Sequence, residues 1–180
     1  LSVAKNRLFA TQGRASTNVY AKKVVELFNR DKDLAEYYHT QVADGKWNHM
    51  MSQTHIGYTS WNQPEKNIIP ETEQLKVTEN SGIGIMVEGT PDESSQESVD
   101  YQLPVFDPVN NQEYIIEIFR QGQQPIEYSV HSDDSWINTS TPGGQLDNDE
   151  RLWVSIDWDK VPEDITDGKL VIEGAGLKYN

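Results

Sequence analysis

The stretch Arg151-Leu152-Trp153-Val154-Ser155-Ile156-Asp157-Trp158 decides how the larger part of this chain is read. Leu152, Val154, Ile156 and Trp158 fall on one side of an extended backbone, and Trp153, Ser155 and Asp157 on the other, because successive side chains of a strand point to opposite faces. Such alternation predicts a strand with one face in a core and one toward water.

Working outward from it, the same period of two recurs at Gln74–Thr78, Ile83–Glu88, Glu113–Phe119, Ile126–His131, Trp136–Thr139 and Lys169–Gly174. Gly122-Gln123-Gln124-Pro125, Asp133-Asp134-Ser135, Pro142-Gly143-Gly144 and Thr166-Asp167-Gly168 punctuate these runs as turns. Short strands at this spacing predict an antiparallel Ig-like β-sandwich. Residues 90–100, rich in Ser, Glu, Asp and Gln, read as a mobile surface loop.

Before residue 66 the period is helical. Val3 to Thr11 makes a short helix that ends near Gly13, and Ser16 or Thr17 can cap a second with the stripe Tyr20, Val24, Leu27 and Phe28. Asp33 with Glu36 resembles a capping box for a third helix, whose buried face would be Leu34, Tyr37, Tyr38 and Val42 and whose stop is Gly45. His39 reads as a solvated helix residue. The expected class is α+β: a helical unit over residues 1–66 and the sandwich over 67–180.

Charge divides at the same place. Residues 1–66 hold nine Lys/Arg and six Asp/Glu, whereas the rest carries six and twenty-three, within an overall net charge of -14. That balance excludes a basic footprint for nucleic acid. With no cysteine, disulfides, thiolate catalysis and cysteine-based zinc sites are excluded. No apolar run approaches the ~18 residues of a membrane span. Leu1 begins directly in helix-like sequence, so the chain is expected to be part of a longer one.

The segment from Gly45 to Trp61 concentrates Trp47, His49, Met50, Met51, Gln53, His55, Tyr58 and Trp61. These side chains combine an apolar body with a polar tip, which suits stacking on a sugar ring while bonding its hydroxyls. The same run can equally be a packed crossing in which Trp47, Met50 and Ile56 are core. His49 and His55 lack the four-residue spacing of a two-histidine metal helix.

No self-sufficient active site is readable elsewhere. Asp157 and Asp159 would share a face if their strand continued, but exposed acids on one strand have no reason to differ in protonation, as a glycosidase pair must. Asp147 to Glu150 lacks the twelve-residue calcium loop and reads as a hairpin turn. Asn138-Thr139-Ser140 is a weak glycosylation match, and Trp136 reads as core. No metal, cofactor or catalytic residue is expected.

Taken together, these residues resemble the C-terminal part of a glycoside hydrolase family 115 xylan α-glucuronidase. The resemblance rests on Lys5-Asn6-Arg7 with Gln12-Gly13-Arg14-Ala15, on Gly45 to Met51, and on Gln53 to Thr59 with Trp61 and Pro64. Phe106-Asp107, Tyr114-Ile115, Pro125, Trp136-Ile137 and the Arg151–Trp158 run add weaker matches. Ile69 stands before Pro70 where methionine would be expected. Family members are secreted or periplasmic and release glucuronic acid, or its 4-O-methyl ether, from glucuronoxylan with inversion. Their catalytic carboxylates lie in an upstream α/β barrel, so the resemblance implies that this chain is a non-catalytic accessory region, inactive alone. It further implies partners in the upstream barrel, in glucuronoxylan or its oligosaccharides, and in a second copy through dimerisation. Tyr58, His55, Trp61 and Trp47 become the expected substrate-binding residues, with Lys46 favouring an acidic ligand. The alternative is a free-standing carbohydrate-binding or dimerisation module.

Overall fold

Polar, breaker-free sequence makes one long helix where two were expected. The computed structural model describes residues 1–58, 63–90 and 101–180. Helix α1 spans Ser2–Thr11, Gly13 follows at φ +64°, and α2 runs unbroken over Thr17–Thr40. The predicted start at Asp33 is therefore absent. Neither Gly nor Pro lies between Thr17 and Thr40, and extending an existing helix costs less than nucleating another. The hydroxyl of Ser16 has no hydrogen-bond partner, so that residue does not cap α2 by its side chain.

The chain forms two compact units, Leu1–Ala10 with Thr17–Leu75, and Thr11–Ser16 with Lys76–Asn180. In the first, only Thr17, Ala21 and Val24 of α2 are buried. The expected buried face is corrected here: Leu27, Leu34 and Tyr37 are exposed, the last two by more than half. Phe9 meets Tyr20 edge to face at 5.2 Å between centroids. Two asparagines then hold an extended segment. Asn6 accepts from the Glu73 amide at 2.7 Å and donates to its carbonyl at 3.0 Å, and Asn18 does the same for Leu75 at 2.9 and 2.8 Å. Side-chain amides thus satisfy backbone groups that a ladder would otherwise pair. Gln74–Thr78, predicted as a strand, is not one: Leu75 pairs with the Asn18 side chain instead of a neighbouring strand, and Thr78 makes an isolated bridge to Gly122.

The second unit carries two antiparallel four-stranded sheets, which makes the protein mixed α+β and mostly β. Strands β1 (Ile83–Val87), β2 (Glu113–Arg120), β3 (Ile126–His131), β4 (Ile137–Thr139), β5 (Gly143–Leu146), β6 (Asp149–Ile156), β7 (Val171–Gly174) and β8 (Leu177–Tyr179) assemble in the orders β1-β2-β6-β4 and β5-β3-β7-β8. Ile85 lies opposite Ile118, and Ile116 opposite Leu152. These residues form one core with Val130, Leu146 and Ile172 of the other sheet.

Strands β5 and β8 were not foreseen. Gly143-Gly144 has low strand propensity and was read as a turn; its pairing with Tyr128 and Ser129 of β3 makes it an edge strand. Because β5 pairs in one sheet and β6 in the other, Asp147 and Asn148 link two sheets instead of closing a hairpin. Gly143 has φ +127°, and a Cβ there would lie 2.3 Å from the Tyr128 carbonyl oxygen. Gly143→Ala is expected to cost about 1–3 kcal/mol, read as a lower urea midpoint. A stability equal to that of the parent chain would mean that this edge is not strained.

Strand β6 stops at Ile156, and Trp158–Lys160 form a short 3-10 turn. Asp157 and Asp159 consequently do not share a strand face, and Asp157 pairs with Lys160 at 2.6 Å. No helix among the described residues is long and apolar enough to cross a membrane.

Candidate functional site

After Thr40 the chain turns sharply, and the turn depends on left-handed backbone. Ala43, Asp44 and Gly45 have φ of 51°, 53° and 76°, and His49 follows at 68°. Gly45, expected as a helix stop, lies in this turn several residues beyond the helix end. A succession of turn bonds then carries the chain forward: Lys46 N–H to Ala43 at 3.1 Å, Asn48 to Gly45 at 3.1 Å, Met50 to Trp47 at 3.1 Å. The segment is coiled locally and has little core of its own.

Burial bears on the packed reading of this block. Trp47 is 39% exposed, Met50 67% and Met51 54%. Trp47 and Met50, two of the three residues that the packed reading placed in a core, are thus exposed, and the third, Ile56, is half-buried. Exposed side chains of this size in one short segment are what a recognition surface requires. Lys46 Nζ lies 5.1 Å from the centre of the Trp47 ring, which places a cation beside an exposed aromatic face.

His55 is engaged inside the unit. Its Nε2 lies 2.9 and 3.0 Å from the two Asp31 oxygens on α2, and its Nδ1 lies 3.1 Å from the Gln53 carbonyl. The Asp31 hydrogen bond, aided by the Gln53 carbonyl, raises the imidazole above its ordinary range. Asn67 fixes the backbone beside it, accepting from the His55 and Ile56 amides at 2.9 and 3.0 Å. The Ile68 amide donates to the Ile56 carbonyl at 3.2 Å, so this stretch is stitched to the segment after it.

Tyr58 donates its phenol to the Thr54 carbonyl at 2.9 Å while 46% of the residue is exposed. Its phenolic proton is thus already used, and its oxygen has acceptor capacity left. Among the described residues no hydrogen bond or ring contact joins Trp47 to His55 or Tyr58. Trp61, the fourth expected residue, lies outside the described residues.

His39 is not simply solvated. Its Nδ1 accepts the His49 amide at 3.3 Å, the two rings meet at 6.2 Å, and its Nε2 is buried. No group of three or more metal-ligating side chains converges among the described residues. Asp31 and Asn67 escaped the sequence reading. Each is an ordinary polar residue on an otherwise unremarked segment, and only tertiary contact gives it a role.

The second unit holds an apolar cavity of about 330 Å³ lined by Ile85, Tyr101, Phe106, Trp136, Val154 and Trp158, among others. Trp136, expected as core, packs over Gly168, where a Cβ would come within 2.1 Å of its ring. No protein-family model matches the chain, and no curated protein sequence matches it.

Proposed function

We propose that this chain is the C-terminal accessory region of a xylan α-1,2-glucuronidase of the family 115 type. In this reading the second unit is an Ig-like β-sandwich with a structural role. The Gly45–Tyr58 segment lines the cleft for glucuronoxylan, and catalysis belongs to an upstream barrel of a periplasmic or extracellular parent. One observation carries the proposal: the Trp47–Tyr58 block, whose residues make the resemblance specific, presents Trp47 and Tyr58 on the surface. A wall that stacks on sugar needs such exposure, and Lys46 beside Trp47 suits a uronate carboxylate.

The coding sequence upstream of Leu1 tests this first. Several hundred residues of alternating strands and helices support it; a start codon directly upstream overturns it in favour of a free-standing module. In the complete enzyme, Trp47→Ala is expected to raise KM for glucuronoxylan about tenfold, roughly 1.4 kcal/mol of lost stacking. An unchanged KM with an unchanged melting temperature would remove this segment from the cleft.

A further inference from the structure

Both ring nitrogens of His55 face hydrogen-bond acceptors: the Asp31 carboxylate at Nε2 and the Gln53 carbonyl at Nδ1. A neutral imidazole carries one N–H and can satisfy only one of them, whereas the imidazolium donates from both. We infer that His55 is a positioning residue which, when doubly protonated, clamps the Gly45–Tyr58 segment to α2 through both ring nitrogens and, on losing a proton, gives up one of the two bonds and loosens it.

Asp31 from α2 supplies the charge that bears on this ring, and the carbonyl of Gln53 comes from its own segment. From the following stretch, Asn67 binds the His55 backbone through a neutral amide oxygen. The pair is partly open to water, with 46% and 37% of the two side chains exposed. The proton can therefore exchange with solvent without unfolding the unit. Because the folded state holds the proton more tightly, the contribution is full below the ordinary value of 6.5 and is lost as pH rises through the raised value. At the other end of the segment His39 Nδ1 accepts from the His49 amide, with the Tyr38 and His49 rings beside it, so the segment meets α2 at both ends. That the clamp sets access to Trp47 and Tyr58 for a sugar rests on the reading proposed above.

The test is a nitrogen-resolved NMR titration of the histidine rings, with hydrogen exchange of the His55 and Ile56 amides as the readout of the segment. His55 is expected to show both nitrogens protonated below its midpoint, and that midpoint is expected to fall in Asp31→Asn. Protection of the two amides should drop about tenfold above the midpoint in the parent chain, and at all pH values in Asp31→Asn. His55→Gln, which like the neutral imidazole offers only an uncharged donor toward Asp31, should show the lower protection of the high-pH state at every pH. Identical His55 titrations in the parent chain and Asp31→Asn would overturn the clamp, as would protection insensitive to pH. A normal clamp signature with no effect of Trp47→Ala on glucuronoxylan turnover removes the sugar reading and leaves the clamp standing.

Discussion

Arg14→Met is expected to destabilise the strand-bearing unit by about 3 kcal/mol, at the lower end of what removing one partner of a buried ion pair costs. Arg14 is only 1% exposed. Its Nη2 meets Glu117 at 2.7 Å, its Nη1 lies 3.7 Å from Asp149, and its Nε donates to Gln12. The guanidinium also lies 4.2 Å from the centre of the Phe119 ring. Methionine keeps much of the volume but removes the charge, leaving Glu117 half-buried with only Arg151, at 3.0 Å, as an ion-pair partner among the described residues. Arg151 is itself largely exposed, so it compensates in part.

The same pair has a pH signature. Burial pushes the Glu117 carboxyl up, but the hydrogen bonds and charges of Arg14 and Arg151 bring it net below its ordinary value of 4.5. A carboxylate lowered on folding stabilises above that value, and its contribution is lost as pH falls through the folded value. Urea unfolding followed from pH 7 to pH 3 should therefore show a steeper acid limb in the parent chain than in Arg14→Met. Equal limbs, or a loss below about 1 kcal/mol at pH 7, would show that the guanidinium is replaceable.

Leu152→Ala should be comparably severe, costing about 4 kcal/mol. Leu152 has no exposed surface and sits in β6, which pairs with both β2 and β4. Ile116 faces it across the ladder, and the surrounding core cannot close over the lost volume without moving both sheets. In thermal unfolding this is a fall of roughly 15–30 °C for a unit of this size. Trp153 is next to it in sequence but on the opposite face and 42% exposed. Trp153→Ala should cost less than about 1 kcal/mol, and a larger loss than at Leu152 would invert the assigned faces of the strand.

The strand faces were legible because a period of two needs no knowledge of partners. Leu152 and Val154 point to the core and Trp153 to water, as their alternation in sequence requires. Arg14 was not legible. It stands in a short polar run between two helices, and nothing local shows that residues 11–16 cluster with the strands, the Ala15 amide bonding to the Arg120 carbonyl at 2.8 Å. The buried face assigned to Leu34 and Tyr37 failed for the converse reason. Helical spacing says which residues share a face but not whether anything covers it.

In the candidate site the same division holds. Composition alone picked out the Gly45–Trp61 run, because clustered aromatics and imidazoles are visible without a fold. That His55 answers to Asp31, twenty-four residues away, is invisible to spacing.

Local periodicity and punctuation were therefore enough to determine that a helical part precedes a β-rich part, and where most strands lie, since those depend on which side of its own backbone each residue falls. Tertiary structure alone decided that Gly143–Leu146 is a strand, that Gln74–Thr78 is not, and that His55 faces two acceptors. Each of those depends on a hydrogen-bonding partner supplied by another part of the chain, and a backbone or imidazole group carries no mark in the sequence of who will satisfy it.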